Sequence, residues 1–479
     1  MGDNSSKYSL SLPIPGLIAY NTVFRVGARI LGALFSMATY AILARYFGAE
    51  IFGGFIIVVT YGVFFALAMD FGLYLTTVRD ISKENERAEE ILASNAGLRM
   101  TAGLFLLFVL AVLASVLPYA KEVRWGLVIF ALSVFVDSIA SSYTPILQAR
   151  MRLDFIGIIE VVNRLAVFSL VYLLSRSGGQ FLLVVSVFVV ANLVSLALSL
   201  LFARRFVRVR LVYDLAAWRE TLGKSLPLWL VMAIGVIHFR VDILILSFLK
   251  GSYDVGIYGL AYKVLDLTLL FPWLLLASVF PLMSEYAKND RDKLSALLQK
   301  SFEVLLMLSL PIIAGTLIVA PKVVSLLGGE SYQPASLVLK ILLLSTVFCY
   351  LNILFVQLII SLELQKRLIL TFSAAVLINV ILNFLLIPRY SYNGAAVATV
   401  ISEAVGTILS LLVAKSGYAF ELKFDFIPKT VLATGLMSLG LVLVNLNLFL
   451  HIGLGVVIYL TFLFVLRLIT KEELLSFVR

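Results

Sequence analysis

The chain has 479 residues, 61% of them hydrophobic and 14% charged. That is more apolar surface than a soluble core can hide, so it reads as a polytopic membrane protein. A net charge of +10 does not indicate nucleic acid here, because the basic residues sit in short loops between apolar stretches. Cys349, the single cysteine, excludes an internal disulfide framework and a Cys cluster for metal, and two histidines, His238 and His451, exclude HExxH and any multi-His metal site.

The first sixteen residues are polar, with Pro13, Pro15 and Gly16. They lack the basic start, short apolar core and small-residue cleavage site of a signal peptide, so the first apolar stretch is expected to stay as a span. Apolar stretches follow at 18–44, 51–78, 97–117, 125–147, 155–174, 181–203, 225–249, 255–281, 302–320, 336–362, 368–388, 394–414, 428–446 and 449–469. Each is about the length needed to cross a hydrocarbon core of about 30 Å. The expected fold is therefore all-α, with about fourteen transmembrane helices. Two pseudo-symmetric six-helix lobes are expected, residues 1–224 with the connecting loop and residues 225–415, followed by accessory helices 13 and 14 in 416–479. Lys and Arg number 25 on the side of the termini and 7 on the other, which places both termini in the cytoplasm.

The opening hairpin recurs further along the chain. Ile42-Leu43, Gly48, Gly53 and Phe55 match Ile245-Leu246, Gly251, Gly256 and Tyr258, every pair at an offset of 203. Two parallel repeats related by rotation about an axis along the membrane normal are predicted, a recurrent plan in transporters. Gly27, Gly32 and Gly72 join the repeated glycines as sites of close helix contact or tight turns, and Tyr20, Tyr46, Tyr119, Tyr258 and Tyr332 are assigned to membrane interfaces.

The loops RDISKENERAEE and SEYAKNDRDKLSALLQK mix charges at helical spacing and read as solvated helix ends. ARRFVRVRLVYDLAAWRE, which joins the halves, reads either as an amphipathic linker with topogenic charge or as a contact for anionic lipid. The outer loops are too short for a catalytic domain. Gly223-Lys224-Ser225 ends like a phosphate-binding loop, but the position that should be the first glycine is Trp218, so no ATPase engine is encoded. GxSxG is absent, no cofactor is indicated, and the Asn4-Ser5-Ser6 sequon falls in the cytoplasmic tail. No enzyme is expected.

Four stretches carry a resemblance. LARYFGAEIFGGF followed by DFGLYLTTVRDIS, VGIYGLAYKVLDL with its trailing VFPLMSEY, LLGGESYQPASLVLKILLLS, and LNFLLIPRYSYNGAAVATVISE are similar to the polysaccharide and oligosaccharide-lipid flippases. These form a branch of the multidrug/oligosaccharidyl-lipid/polysaccharide exporter superfamily, and the similarity runs from about Ile18 to about Gly417. It implies a multi-pass protein of the cell membrane that moves a polyprenyl-linked oligosaccharide for surface polysaccharide or glycoconjugate assembly. Transport would go by alternating access, with the lipid tail left in the membrane and no bond made or broken. Rival readings are a cation-coupled multidrug or organic-cation antiporter of the same superfamily, a lipid II flippase, and a membrane polysaccharide polymerase.

The informative residues are the ionisable ones within apolar stretches, since each costs about 2.5 to 3.5 kcal/mol at a helix centre unless it meets water or a partner. They are Arg25, Arg29, Asp70, Asp137, Glu160, Arg164, Arg240, Asp242, Lys263, Asp266, Lys340 and Glu403. Glu160 with Arg164 and Lys263 with Asp266 are spaced to share a helix face. Asp70, Asp137 and Glu403 have no cation on their own helix and are the candidates for coupling to a proton or Na+. Arg25 and Arg29 lie at i,i+4 with no acid nearby in the sequence, explained by a shared anion or by snorkelling to headgroups. In the resembling flippases basic cavity residues meet a pyrophosphate, which implies that role for Arg25, Arg29, Arg164, Arg240 and Lys263.

Overall fold

Lipid offers backbone N–H and C=O groups no water to bind, so a crossing segment closes its own hydrogen bonds as a helix. The computed structural model describes residues 14–468 and has no strand among them. The Asn4-Ser5-Ser6 sequon, Lys471 and Arg479 lie outside the described residues. Among the described residues eleven helical segments are long and apolar enough to cross a membrane.

The helices are α1 (Ile14–Asp70), α2 (Leu73–Lys83), α3 (Ala88–Val116), α4 (Lys121–Ala149), α5 (Leu153–Arg176), α6 (Phe181–Ala203), α7 (Leu215–Lys250), α8 (Ser252–Thr268), α9 (Leu270–Asn289), α10 (Arg291–Gly328), α11 (Ala335–Leu343), α12 (Thr346–Ser361), α13 (Gln365–Gly417), α14 (Ile427–Leu443) and α15 (Leu448–Val465). Two of them are broken internally. α1 turns at Gly48 (φ 71°, ψ 176°) and α13 at Ser391 (φ 48°, ψ −132°), where the sequence places polar corners between spans. A further break at Phe71 and Gly72, both with positive φ, ends α1 at Asp70. The apolar stretch 51–78 is thus not one straight helix.

The described chain divides into two compact units, one ending at Arg240 and one starting at Val241. In the first, α1 packs on α5 and α4 on α6 and α3. Phe65, Met69, Leu110 and Phe135 form one apolar cluster, and Phe155 stacks on Phe202 at 4.4 Å in another. In the second, α12 packs on α13 and α9, and α14 pairs with α15 against α10. Tyr459 of α15 donates to the Met307 carbonyl at 2.6 Å. Lys322 of α10 donates to Asn445 Oδ1 at 2.9 Å and the Leu446 carbonyl at 2.8 Å, and stands 3.1 Å from His451 Nδ1. The last two helices are therefore tied to the second unit at their connecting turn.

Gly48 and Gly251, one of the repeated glycine pairs, share a backbone conformation. Gly251 has φ 87° and ψ −173°, close to Gly48, in a region that only glycine occupies without strain. Leu43 and Leu246 are both fully buried, as are Phe55 and Tyr258. Around this common frame the side chains diverge. Phe55 meets the rings of Tyr40 and Phe188 at 6.1 and 5.6 Å, whereas the Tyr258 hydroxyl donates to the Asp242 carboxylate and lies 3.1 Å from Thr399 Oγ1. Tyr258 and Tyr332 are fully buried, which corrects their assignment to membrane interfaces: turn proximity in sequence does not tell which side of the helix a ring takes. Cys349 is buried as a free thiol.

Candidate functional site

The break after α1 decides where the first buried charge goes. Asp70 is the last residue of α1, and the positive-φ pair Phe71 and Gly72 turns the chain away. Its Oδ1 accepts from Arg99 Nη2 at 2.6 Å. Arg99 lies within α3, and its Nη1 donates to the Ser138 carbonyl at 3.0 Å. The guanidinium side chain is 3% exposed and the carboxylate 29%, so the pair is sealed on the arginine side and open on the acid side. Among the described residues Arg99 Nε has no hydrogen-bond partner.

Further charges gather around this pair. Asp137 of α4 lies within electrostatic reach of both Arg164 and Arg99, and Tyr74 of α2 within reach of Arg25, Arg99 and Asp70. The Tyr74 hydroxyl donates to Gln148 Oε1 at 2.7 Å. Arg164 and Glu160 share the face of α5 turned to α1, where a Cβ at Gly32 would stand 3.5 Å from Arg164 Cγ and 3.8 Å from Glu160 Oε1. Asp137 and Arg164 are exposed, Arg25 is half-buried, and Arg29 is exposed one turn further along α1. The structure thus gathers Arg25, Asp70, Arg99, Asp137 and Arg164, which come from four separate helices, in the first unit.

Beside the cluster runs a neutral polar ladder. Asn163 Nδ2 donates to Asn192 Oδ1 at 2.8 Å and to Ser195 Oγ at 2.9 Å, and Asn192 donates on to Ser133. Such groups are satisfied side chain to side chain because α5 and α4 each supply one and α6 supplies two.

The other predicted residues have their own surroundings. Arg240 is half-buried on α7, and Lys340 half-buried on α11. Lys263 donates to Asp266 Oδ2 at 3.3 Å within α8, the partner its spacing predicts. Glu403 of α13 is 2% exposed and lies beside Cys349. Asp242, also 2% exposed, accepts from Tyr258, and on α13 Asn379 donates to Ser402 at 3.0 Å and accepts from Asn383 at 2.8 Å. Among the described residues no group of three or more His, Cys, Asp or Glu could hold a metal ion.

Arg99 is the residue that sequence reasoning missed. It falls two residues inside the stretch 97–117, directly after the acidic run AEEILASNAGL, and so counts as a flanking loop charge. The available signal is Asp70, an in-span acid that needs a cation from another helix.

Apolar helices of membrane-crossing length, with a paired Arg and Asp and further charges gathered among them, define a polytopic membrane protein. The chain belongs to the polysaccharide biosynthesis protein family, whose model matches residues 18–287, and so to the polysaccharide-flippase branch of the multidrug/oligosaccharidyl-lipid/polysaccharide exporter superfamily. The MatE model matches residues 227–385. The chain is 23% identical over 459 residues to a protein of Haloferax volcanii named as a probable low-salt glycan biosynthesis flippase, Agl15, with 92% of each chain covered. It is 29% identical over 201 residues to the probable flippase AglR of the same organism, 40% of this chain and 39% of that one. Among solved structures, the inward closed conformation of the lipid II flippase MurJ superposes with a TM-score of 0.76 at 16% identity, over 92% of this chain and 98% of that one. An inward-facing multidrug resistance MATE transporter superposes with a TM-score of 0.65 at 14% identity, over 82% and 97%. These two likenesses show the fold.

Proposed function

We propose that the protein flips a polyprenyl-(pyro)phosphate-linked oligosaccharide across the cytoplasmic membrane by alternating access, for assembly of a surface polysaccharide or glycoconjugate. The observation that carries this reading is the gathering of Arg25, Arg99 and Arg164 with Asp70 and Asp137 among apolar helices. A phosphate group gives up its hydration to cross a hydrocarbon core of about 30 Å, and guanidinium donors replace that shell with bidentate hydrogen bonds. Arg99 Nε, a buried donor without an acceptor among the described residues, is the kind of group a bound anion satisfies. The carboxylates matter as much, because Asp70 and Asp137 compete for the same guanidiniums and let the phosphate leave. The name of Agl15 as a probable glycan biosynthesis flippase supports the substrate class, and that of AglR as a probable flippase supports the transport reaction.

The reading includes fourteen crossings, reached by counting α1 and α13 as two each and adding α14 to the apolar helices, with both termini in the cytoplasm. Residues 1–224 and 225–415 form the repeated lobes and 416–479 the accessory pair. Arg29, Arg240 and Lys263 add to the phosphate path, and Asp70, Asp137 and Glu403 couple transport to a proton or Na+. No covalent step is involved.

The test is delivery of lipid-linked glycan in a complementation assay at matched membrane abundance. Arg25→Lys and Arg29→Lys each impair delivery by about tenfold, because a Lys point charge does not reproduce the planar fork, and the Ala variants are worse. Full activity of both Lys variants would make them interfacial anchors. Drug resistance conferred by a chain that delivers no glycan would favour the antiporter reading, for which the match of residues 227–385 to the MatE model is the supporting observation.

A further inference from the structure

The segment between α6 and α7 is built more tightly than a topogenic loop requires. Residues 208–214 have no regular secondary structure, and the backbone is fastened to α3 at two points. Val212 N donates to the Ala93 carbonyl at 3.1 Å, and Arg208 N to Glu89 Oε2 at 3.4 Å. The approach is close enough that a Cβ at Gly97 would stand 2.2 Å from the Val212 carbonyl oxygen. Trp218 closes the far end, its Nε1 donating to the Ser94 carbonyl at 2.9 Å and its ring edge-on to Tyr213 at 6.1 Å. Arg205 is held over the rings of Phe155 and Phe202 at 5.4 and 5.6 Å.

Beside this segment lies a shallow, open hollow of about 460 Å³ lined by Glu89 and the chain from Arg204 to Val209. Arg204, Arg205 and Arg208 bring three positive charges to it. Glu89 is the one acid in the lining and sits 3.7 Å from Arg210. Val207 and Val209 line the same hollow as the arginines, so apolar and cationic side chains stand side by side there. Val209, Leu211 and Leu215 are 40%, 42% and 78% exposed. The segment follows directly on α6, one of the membrane-crossing helices, where the hydrocarbon ends and the headgroups begin. An arginine cavity with apolar side chains immediately beside it matches one chemistry: a phosphate ester whose other end is acyl chain.

We infer that Glu89 and residues 204–215 form a headgroup site for an anionic glycerophospholipid, with its phosphate among Arg204, Arg205 and Arg208 and its acyl chains along Val209 and Leu211. A soluble phosphate shares the anionic half of this chemistry and lacks the apolar half. The site is separate from the charge cluster of α1, α3, α4 and α5, and does not depend on what that cluster transports.

The test uses the full chain in mixed micelles, with bound lipid measured by native mass spectrometry. The probes are phosphatidylglycerol, phosphatidylcholine and soluble glycerol 3-phosphate. The wild-type protein retains phosphatidylglycerol over phosphatidylcholine, and Arg204→Gln and Arg208→Gln each reduce that retention by about fivefold, the contribution of one basic residue at an anionic surface. Arg205 is left in place in both variants because it packs on two rings, and Lys293→Gln, a charge removed elsewhere, leaves retention unchanged. Wild-type retention by a folded, monodisperse Arg204→Gln/Arg208→Gln protein would overturn the inference. Displacement of phosphatidylglycerol by an equal concentration of glycerol 3-phosphate would do the same, assigning the cavity to a soluble anion. So would unchanged lipid retention accompanied by loss of a co-purifying protein, which would make the segment a protein-docking surface.

Discussion

Asp70 and Arg99 show what a buried ion pair asks of a membrane protein. Removing one partner of such a pair leaves a charge without compensation, at a cost of about 3 to 5 kcal/mol, while replacing both is far milder. Asp70→Asn, which strands the 3% exposed Arg99 guanidinium, should therefore lower the melting temperature of the detergent-solubilised protein sharply, and adding Arg99→Gln should restore much of it. A double variant that melts no higher than Asp70→Asn alone would show that the Arg99 bond to the Ser138 carbonyl, not the ion pair, carries the stability. Asp70 was legible in the sequence as an acid inside an apolar run, but its partner was not. Arg99 lies 29 positions away on another helix, and periodicity reports the face a residue takes, never the helix that will lie against it. Asp137 and Arg164 were legible singly for the same reason, and their convergence was not. Asp242 was visible as an in-span acid, yet nothing local distinguishes it from Asp266; only the fold gives it Tyr258 and Thr399.

At the level of elements, the offset of 203 is a statement about turns. Gly48 and Gly251 hold matching backbone conformations that a side chain does not adopt cheaply, so Gly48→Ala and Gly251→Ala should each cost about 1 to 3 kcal/mol and reduce the amount of folded protein recovered from membranes. Gly27 is the control, since a Cβ there meets nothing within 4 Å and its φ is not positive; Gly27→Ala should be silent. Equal loss in all three would mean that folding does not depend on the turn. The corners at 45–50 and 389–393 were readable because a polar interruption between apolar runs must turn. The break at Phe71 and Gly72 was not, being written in apolar residues. A second element, α10, begins at Asp290, whose carboxylate accepts from Lys293 N at 3.1 Å and pairs with its ammonium at 3.0 Å. The Lys293 backbone N–H and side chain hold the Asp290 carboxyl below its ordinary value. A carboxyl depressed in the folded state contributes its stability above its unfolded pKa and loses it as pH falls through the folded one. Between pH 7 and 5 the helix start should be insensitive, and below about pH 4 backbone amide exchange at 291–294 should speed up. Asp290→Asn should keep the cap and abolish that pH dependence.

For the molecule as a whole, the charge asymmetry is the feature with the widest reach. Every loop on one side of the fourteen-crossing reading carries Lys or Arg, and the opposite loops carry few, so retention of the basic side in the cytoplasm fixes the orientation of all crossings together. Hydropathy and loop charge predict this orientation without any tertiary contact, because the bilayer acts on each segment separately before helices pack. The chain lends itself to a direct test, since Cys349 is its one cysteine and is buried. Cys349→Ser removes a thiol that packs against Ser345 and Glu403 and gives a background without cysteine. Single cysteines can then be placed at the exposed positions Ser82 and Asp292 on the basic side, and at Glu122 and Ser177 on the other. In intact cells a membrane-impermeant maleimide should label the cysteines at 122 and 177 and leave those at 82 and 292 untouched until the membrane is permeabilised. The reverse pattern would invert the protein and put the arginines of the segment between α6 and α7 at the outer leaflet. Labelling of 82 and 122 from the same side would be more damaging, because it would mean that the chain between them crosses an even number of times and that the break at Gly72, rather than the lipid boundary, ends the second crossing.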